Sequence, residues 1–294
     1  MSLASFKYER YGCQALYEET LHSWGDKMRL TRYRLLRGCI GEFFGTMIMM
    51  IFGVGVVAQS KFVENYSFFS VCFGWAAGVV FGILVSGKMG YGLFNPAIGL
   101  AFAVVGKVPW IALAPAILCQ LLGSYIGALT VYGIYRENIR LTYNGQLNMT
   151  SALIFFTGPT VGNGPALMDQ IVGTALLAAM CMAIVDPHNF PMPEYMHAIF
   201  IGSVVTALLG ALGVNAGAAL NPARDFGPRL ALLTVGYGTQ VFTHDNYYFW
   251  IPIVGPLIGA CIGAIGYELT TGIHIRGLAE KRAREEDRYD FEGA

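Results

Sequence analysis

Two triplets carry the chemistry of this chain: Asn95-Pro96-Ala97, and Asn221-Pro222-Ala223 running on into Arg224 and Asp225. Asparagine caps a helix by accepting from its first free N–H groups, and proline suits the first helical position, so each triplet starts a short helix. Both triplets sit in uncharged, apolar sequence, where a helix start leaves N–H groups and a positive dipole end away from bulk water. Two such ends brought together repel cations and hydronium. The carboxamides of Asn95 and Asn221 offer donors beside them, and unwound backbone before each triplet offers carbonyl acceptors. A neutral hydroxylated solute or water can exchange its hydration for that set, whereas an ion cannot do so cheaply. Arg224, at membrane depth, adds a rigid fork of donors and a barrier to cations; its alternative role is a salt bridge to Asp225 or another acid. Asp225 is otherwise expected to brace the loop.

The elements that must position these groups are membrane spans. The 294 residues are 55% hydrophobic and 13% charged, which is the composition of an integral membrane protein. Six apolar runs are expected to cross: Cys39 to Gln59, Ser67 to Ser86, Pro109 to Tyr132, Ile171 to Val185, Ala198 to Gly213 and Phe249 to Thr271. Lys7, Arg10, Lys27, Arg29, Arg32, Arg34 and Arg37 precede the first run, and Arg276, Lys281, Arg282, Arg284 and Arg288 follow the last. The positive-inside rule then puts both tails, residues 1–36 and 273–294, in the cytoplasm, as an even number of spans requires. No cleavable signal peptide is visible, so the first span is expected to serve as the targeting signal. The N-terminal tail mixes charge with Tyr8, Tyr11, Tyr17 and Trp24, the make-up of an interfacial helix or of an irregular tail, and partial helix is expected there.

An internal repeat orders the spans. Glu42 stands in the first run and Gln170 before the fourth, each three residues ahead of a Gly-Thr pair and each at nearly the same interval before its triplet. A repeat of three spans, an odd number, re-enters from the opposite side, giving inverted repeats over about 38–135 and 166–272 of a channel domain at 37–272. Leu93 to Val105 and Ala218 to Leu233 are too short to cross and fit half-helices that dip to the midplane. Glycines four apart (Gly74, Gly78, Gly82; Gly123, Gly127; Gly255, Gly259, Gly263) let the helix backbones approach closely. Asn148 and Asn65 head glycosylation sequons that this topology places outside, with Asn148 the better placed. Cys39, Cys72, Cys119, Cys181 and Cys261 in or beside spans, and Cys13 in the tail, have neither disulfide nor metal spacing and serve as small apolar residues. No histidine pairs at ligand spacing and no nucleophile-base or phosphate-loop pattern occurs, so neither enzyme, cofactor, metal nor nucleic-acid partner is expected.

On its paired triplets and inverted repeat, the chain resembles the aquaporin family over roughly residues 38–272. The aspartate in Asn221-Pro222-Ala223-Arg224-Asp225-Phe226-Gly227-Pro228-Arg229-Leu230 is similar to the glycerol-conducting, aquaglyceroporin branch, as are Gly236-Tyr237-Gly238 and Phe249-Trp250-Ile251-Pro252. The resemblance implies an all-α fold of six spans plus two re-entrant half-helices, and a homotetramer in a bilayer, the plasma membrane, with one pore per subunit. It also implies passive, bidirectional flow of glycerol, water and other small neutral solutes, urea among them. Trp75 matches the family's aromatic residue at the pore constriction and Arg224 its arginine, while Glu42 and Gln170 match the residues that hold the half-helix loops. Three departures stand out. Ala218 stands where a second aromatic is common, which predicts a wider mouth. Leu209 stands where a glycine is usual, with Gly210 next to it expected to take the wall position. Gly90-Tyr91-Gly92-Leu93-Phe94 lacks the family's histidine, so no pH gate built on it is expected. The competing readings are a water-selective channel, an ion-coupled transporter using Glu42, Asp169 or Glu268, and a membrane-junction protein.

Overall fold

The computed structural model describes residues 12–292, with side chains from 14 to 284; Lys7, Tyr8, Arg10, Tyr11 and the side chains of Cys13 and Arg288 lie outside the described residues. In chain order the helices are α1 (Gly12–Met28), α2 (Arg34–Phe62), α3 (Phe68–Ser86), α4 (Pro96–Val104), α5 (Trp110–Thr142), the one-turn α6 (Met149–Ala152) and α7 (Asn163–Val185). They continue with α8 (Glu194–Ala216), α9 (Pro222–Thr234), α10 (Gln240–Tyr247), α11 (Ile251–Tyr267) and, after a π-helical turn at Glu268–Gly272, α12 (Ile273–Glu292). Six helical segments are long and apolar enough to cross a membrane: α2, α3 with its following turn, α5, α7, α8 and the run that contains α11.

The spans run longer than their apolar stretches. α5 continues past Tyr132 to Thr142, where Glu137 and Arg140 form an exposed pair one turn apart; once water is reached, helix propagation needs no apolar face. The last span likewise does not give way to an irregular tail at residue 272, because the π turn passes the chain into α12 without a break. That turn is tied down. Arg276 contacts Glu268 and lies 3.7 Å from Asp186, the buried residue that ends α7 and accepts from the Tyr267 hydroxyl at 3.1 Å. Burial alone would raise the Asp186 carboxyl, but the hydrogen bonds from the His188 N–H and the Tyr267 hydroxyl outweigh it and hold the group below its ordinary range.

The two halves pack alike and then exchange their half-helices. α2 lies against α3 and α5, and α7 against α8 and α11; the short α4 of the first half packs on α11 of the second, and α9 packs on α5. The recurring glycines are where these backbones meet. A Cβ at Gly78 or Gly82 would come within 2.8 Å of the Met49 or Gly45 carbonyl of α2. A Cβ at Gly123, Gly259 or Gly263 would overlap the carbonyl of Phe43, Ile171 or Ala175. Between lipid-soluble helices, such contact replaces the hydrophobic drive that water supplies elsewhere. Gly263→Leu is therefore expected to lower stability by about 1–3 kcal/mol or to prevent folding, whereas Gly266→Leu, whose Cβ would meet nothing within 4 Å, is expected to be tolerated. Thermal unfolding in detergent, read by loss of a monodisperse elution peak, checks the contrast.

Candidate functional site: a channel-like cavity

Asn95 and Asn221 are extended residues that cap α4 and α9. The Asn95 Oδ1 accepts from the Ala97 N–H at 2.9 Å, and the Asn221 Oδ1 from Ala223 at 2.9 Å and Arg224 at 3.2 Å. Each carboxamide also reaches across to the other half. Asn95 donates to the Leu220 carbonyl at 2.8 Å, and Asn221 donates to the Phe94 carbonyl at 2.8 Å. One N–H of each amide is thus spent on this cross-brace, leaving the other for the cavity that both residues line.

The carbonyl positions depend on backbone in an unfavourable region. Phe94 and Leu220 have φ of +49° and +51°, where residues with a Cβ are uncommon. Glu42 holds the first, accepting from the Leu93 N–H at 2.9 Å and the Phe94 N–H at 2.8 Å while the Gln120 amide donates to it at 2.8 Å. Gln170 holds the second, accepting from the Leu220 N–H at 2.9 Å. The Phe94 ring turns back into the bundle, into space left by Gly45. Glu42 therefore faces backbone donors and not the lumen, and it does not line the cavity.

The cavity has a volume of about 150 Å³ and is apolar along most of its wall, where Met49, Val79, Ile83, Phe102 and Leu177 join Gly92–Asn95 and Gly217–Asn221. Arg224 enters the cavity with its guanidinium over the Trp75 ring, 4.3 Å from the centroid, and donates to the Phe155 carbonyl at 3.2 Å. Stacking on an aromatic face and a single carbonyl bond fix the plane of the fork and leave further N–H groups unspent. Trp75 is itself placed by Gly53, where a Cβ would overlap the indole. Ala218, at φ +42°, lines the cavity as expected of a wall residue.

Leu209 lines the cavity and Gly210 does not. Gly210 is exposed on the far side of α8, and a Cβ added there would meet nothing within 4 Å. α8 is continuous from Glu194 to Ala216, so no local shift exchanges neighbours that differ by 100° of rotation. The wall residue is the larger one.

Asp225 spends its hydrogen bonds on partners other than the Arg224 guanidinium. Its Oδ2 accepts from the Thr157 N–H at 2.8 Å and hydroxyl at 2.6 Å, and its Oδ1 from Arg229 Nε at 2.6 Å. Arg229 also donates to the Thr157 carbonyl at 3.0 Å and to the Val241 carbonyl, with its guanidinium 3.9 Å from the centre of the Phe156 ring. Sequence reasoning missed Arg229, Thr157 and Gly53. Only the i,i+4 spacing of Asp225 and Arg229 on a helix signals the first. Asn148 caps α6, accepting from the Ser151 N–H at 3.0 Å, and takes no part in the cavity. Among the described residues no cluster of three or more histidine, cysteine or acidic side chains is placed to hold a metal ion.

Residues 29–267 match the model of the family described as "Major intrinsic protein". The chain is 36% identical over 257 residues to Aquaporin-9 of Homo sapiens, covering 84% of this chain and 87% of that one. It is 34% identical over 254 residues to Aquaglyceroporin-3 of Trypanosoma brucei brucei, covering 84% and 82%. Its fold is similar to the crystal structure of the aquaglyceroporin from Plasmodium falciparum, with a TM-score of 0.76 at 28% identity over 82% of this chain and 99% of that one.

Removing Asp225 strands the buried Arg229 charge. Asp225→Ala is expected to cost about 3–5 kcal/mol, with Asp225→Ala/Arg229→Met less damaging than the single change; thermal unfolding of both variants in detergent checks this.

Proposed function

The chain belongs to the major intrinsic protein family, and from that premise we propose that it is an aquaglyceroporin, a passive channel for glycerol, other small neutral solutes such as urea, and water. The observation that carries this is an amphipathic wall. Trp75 and Leu209 present carbon to the cavity, while Arg224 and the second N–H groups of Asn95 and Asn221 present donors. A polyol has the same division, with hydroxyls along one edge and a carbon chain along the other, so it can give up water to the donors and lie against the indole. Ions find no comparable replacement, because both half-helices begin at asparagines that line the cavity, which turns their positive dipole ends toward it, and Arg224 adds a full charge. Proton and cation exclusion belongs to the same arrangement.

In this proposal Trp75, Leu209, Ala218 and Arg224 form the constriction, Glu42, Gln170 and Asp225 support the loops, and residues 37–272 form the channel domain. The tails lie in the cytoplasm and the protein assembles as a homotetramer in the plasma membrane, with Asn148 available outside for glycosylation. Leu209 is the observation that favours the water-selective alternative, since a bulky wall residue narrows the passage. Small Ala218, which also lines the cavity, offsets it.

Stopped-flow light scattering on proteoliposomes separates the readings. Fast re-swelling in a glycerol gradient, indifferent to membrane potential and to a pH gradient, is expected. Fast water efflux in sucrose without glycerol entry identifies a water channel, and glycerol uptake that follows the potential identifies coupled transport. Arg224→Val is expected to keep water and glycerol flux while raising proton or cation leak roughly tenfold, read by a trapped pH dye; unchanged ion exclusion would remove Arg224 from the barrier.

A further inference from the structure

Helix α1 takes no part in the cavity and packs extensively on no other element among the described residues. Its sequence is nevertheless patterned. Tyr17, Leu21, Trp24 and Met28 fall at i, i+4, i+7 and i+11, a single face of the helix. All four are exposed, Trp24 by 62% and Met28 by 69%. Glu19, His22 and Asp26 occupy the far side. A row of large apolar side chains with acids opposite is a surface that something apolar covers.

Charge and position identify the occupant. From Lys27 to Arg37 the chain carries five basic residues and no acidic one. Two of the five hold the first loop: Arg37 donates to the Met89 carbonyl at 3.0 Å, and Arg34 lies 5.9 Å from the centre of the Tyr91 ring. Arg29 pairs with Asp26 at 3.0 Å, an exposed contact, while Lys27 and Arg32 enter no ion pair among the described residues. This basic run joins α1 to the first span, whose opening turn already exposes Leu35 and Leu36. The apolar row is therefore followed in sequence by the exposed apolar residues that open the first span, and between them stand Lys27 and Arg32, which no acid pairs among the described residues.

We infer that α1 is an in-plane membrane helix that recognises anionic phospholipid, with Tyr17, Leu21, Trp24 and Met28 seated at the headgroup–acyl boundary and Lys27 and Arg32 on the headgroup phosphates. The acid face turns to water, away from the anionic surface. This inference rests on the multi-pass membrane reading and is independent of what the cavity conducts.

The test uses the full-length protein in vesicles of phosphatidylcholine alone and of phosphatidylcholine with phosphatidylglycerol, each with and without brominated acyl chains. The Trp24 signal is taken as the difference between the wild type and Trp24→Phe, since Trp75, Trp110 and Trp250 also emit. Bromolipid is expected to quench Trp24 roughly threefold more strongly in the anionic vesicles, and Lys27→Gln/Arg32→Gln is expected to erase that difference while leaving glycerol re-swelling unchanged. Trp24 open to aqueous acrylamide and untouched by bromolipid in both vesicles would overturn the inference, as would Trp24 shielded from both quenchers, which places α1 on protein. Equal bromolipid quenching in the two compositions would overturn the recognition of anionic headgroups. The comparison of the wild type with Trp24→Phe, a change at an exposed position, stands by itself if the charge variant fails to fold, and loss of glycerol flux in the wild type bears only on the channel.

Discussion

A backbone amide in the middle of a bilayer has no water to fall back on, and the two loops ahead of the half-helices contain several. Every other feature of the channel follows from how those groups are satisfied. Glu42 and Gln170 take the N–H groups of Leu93, Phe94 and Leu220, and Asn95 and Asn221 take the opposing carbonyls of Leu220 and Phe94. Because each asparagine caps its own helix and braces the other loop, neither half of the repeat completes its site without the other. Each left-handed residue is also held from both ends, which is what allows Phe94 and Leu220 to stay in a region residues with side chains avoid.

The halves solve the same problem with different chemistry. The first uses a charged acceptor, and Glu42 gathers two backbone donors and the Gln120 amide around one carboxylate. The second uses the neutral Gln170 and places its charge further along, at Asp225 and Arg229, where the loop from Thr157 is clamped to α9. That clamp stands next to Phe155, whose carbonyl orients Arg224. The position of Arg224 is thus set partly by an ion pair to which it does not belong, with its fork presented to the cavity instead of consumed by a neighbouring acid.

Much of this is legible in the sequence because polar residues are rare in spans. Asn95, Asn221, Glu42, Gln170 and Arg224 stand out against apolar runs, and their repetition alone implies two re-entrant helices. What is not legible depends on rotation and on neighbours. Leu209 and Gly210 are adjacent in sequence, yet one lines the cavity and the other does not, a difference carried by the phase of α8 and fixed only by what it packs against. Trp75 is readable as the aromatic of the cavity, but the missing side chain that admits it, at Gly53, lies on another helix. Thr157 sits in a loop with no periodicity, and the extension of α5 and of the last span beyond the membrane leaves no mark in hydropathy, since their outer turns are polar.

The cross-brace between the halves is expected to stay closed while solute occupies the cavity, and a high-resolution experimental map of the protein with glycerol would show whether it does. Glycerol density along the Trp75 face within reach of Arg224, with both asparagine amides still on the Phe94 and Leu220 carbonyls, is the expected outcome. Bound glycerol accompanied by either amide turned away from the opposing loop would mean that the brace opens to admit solute.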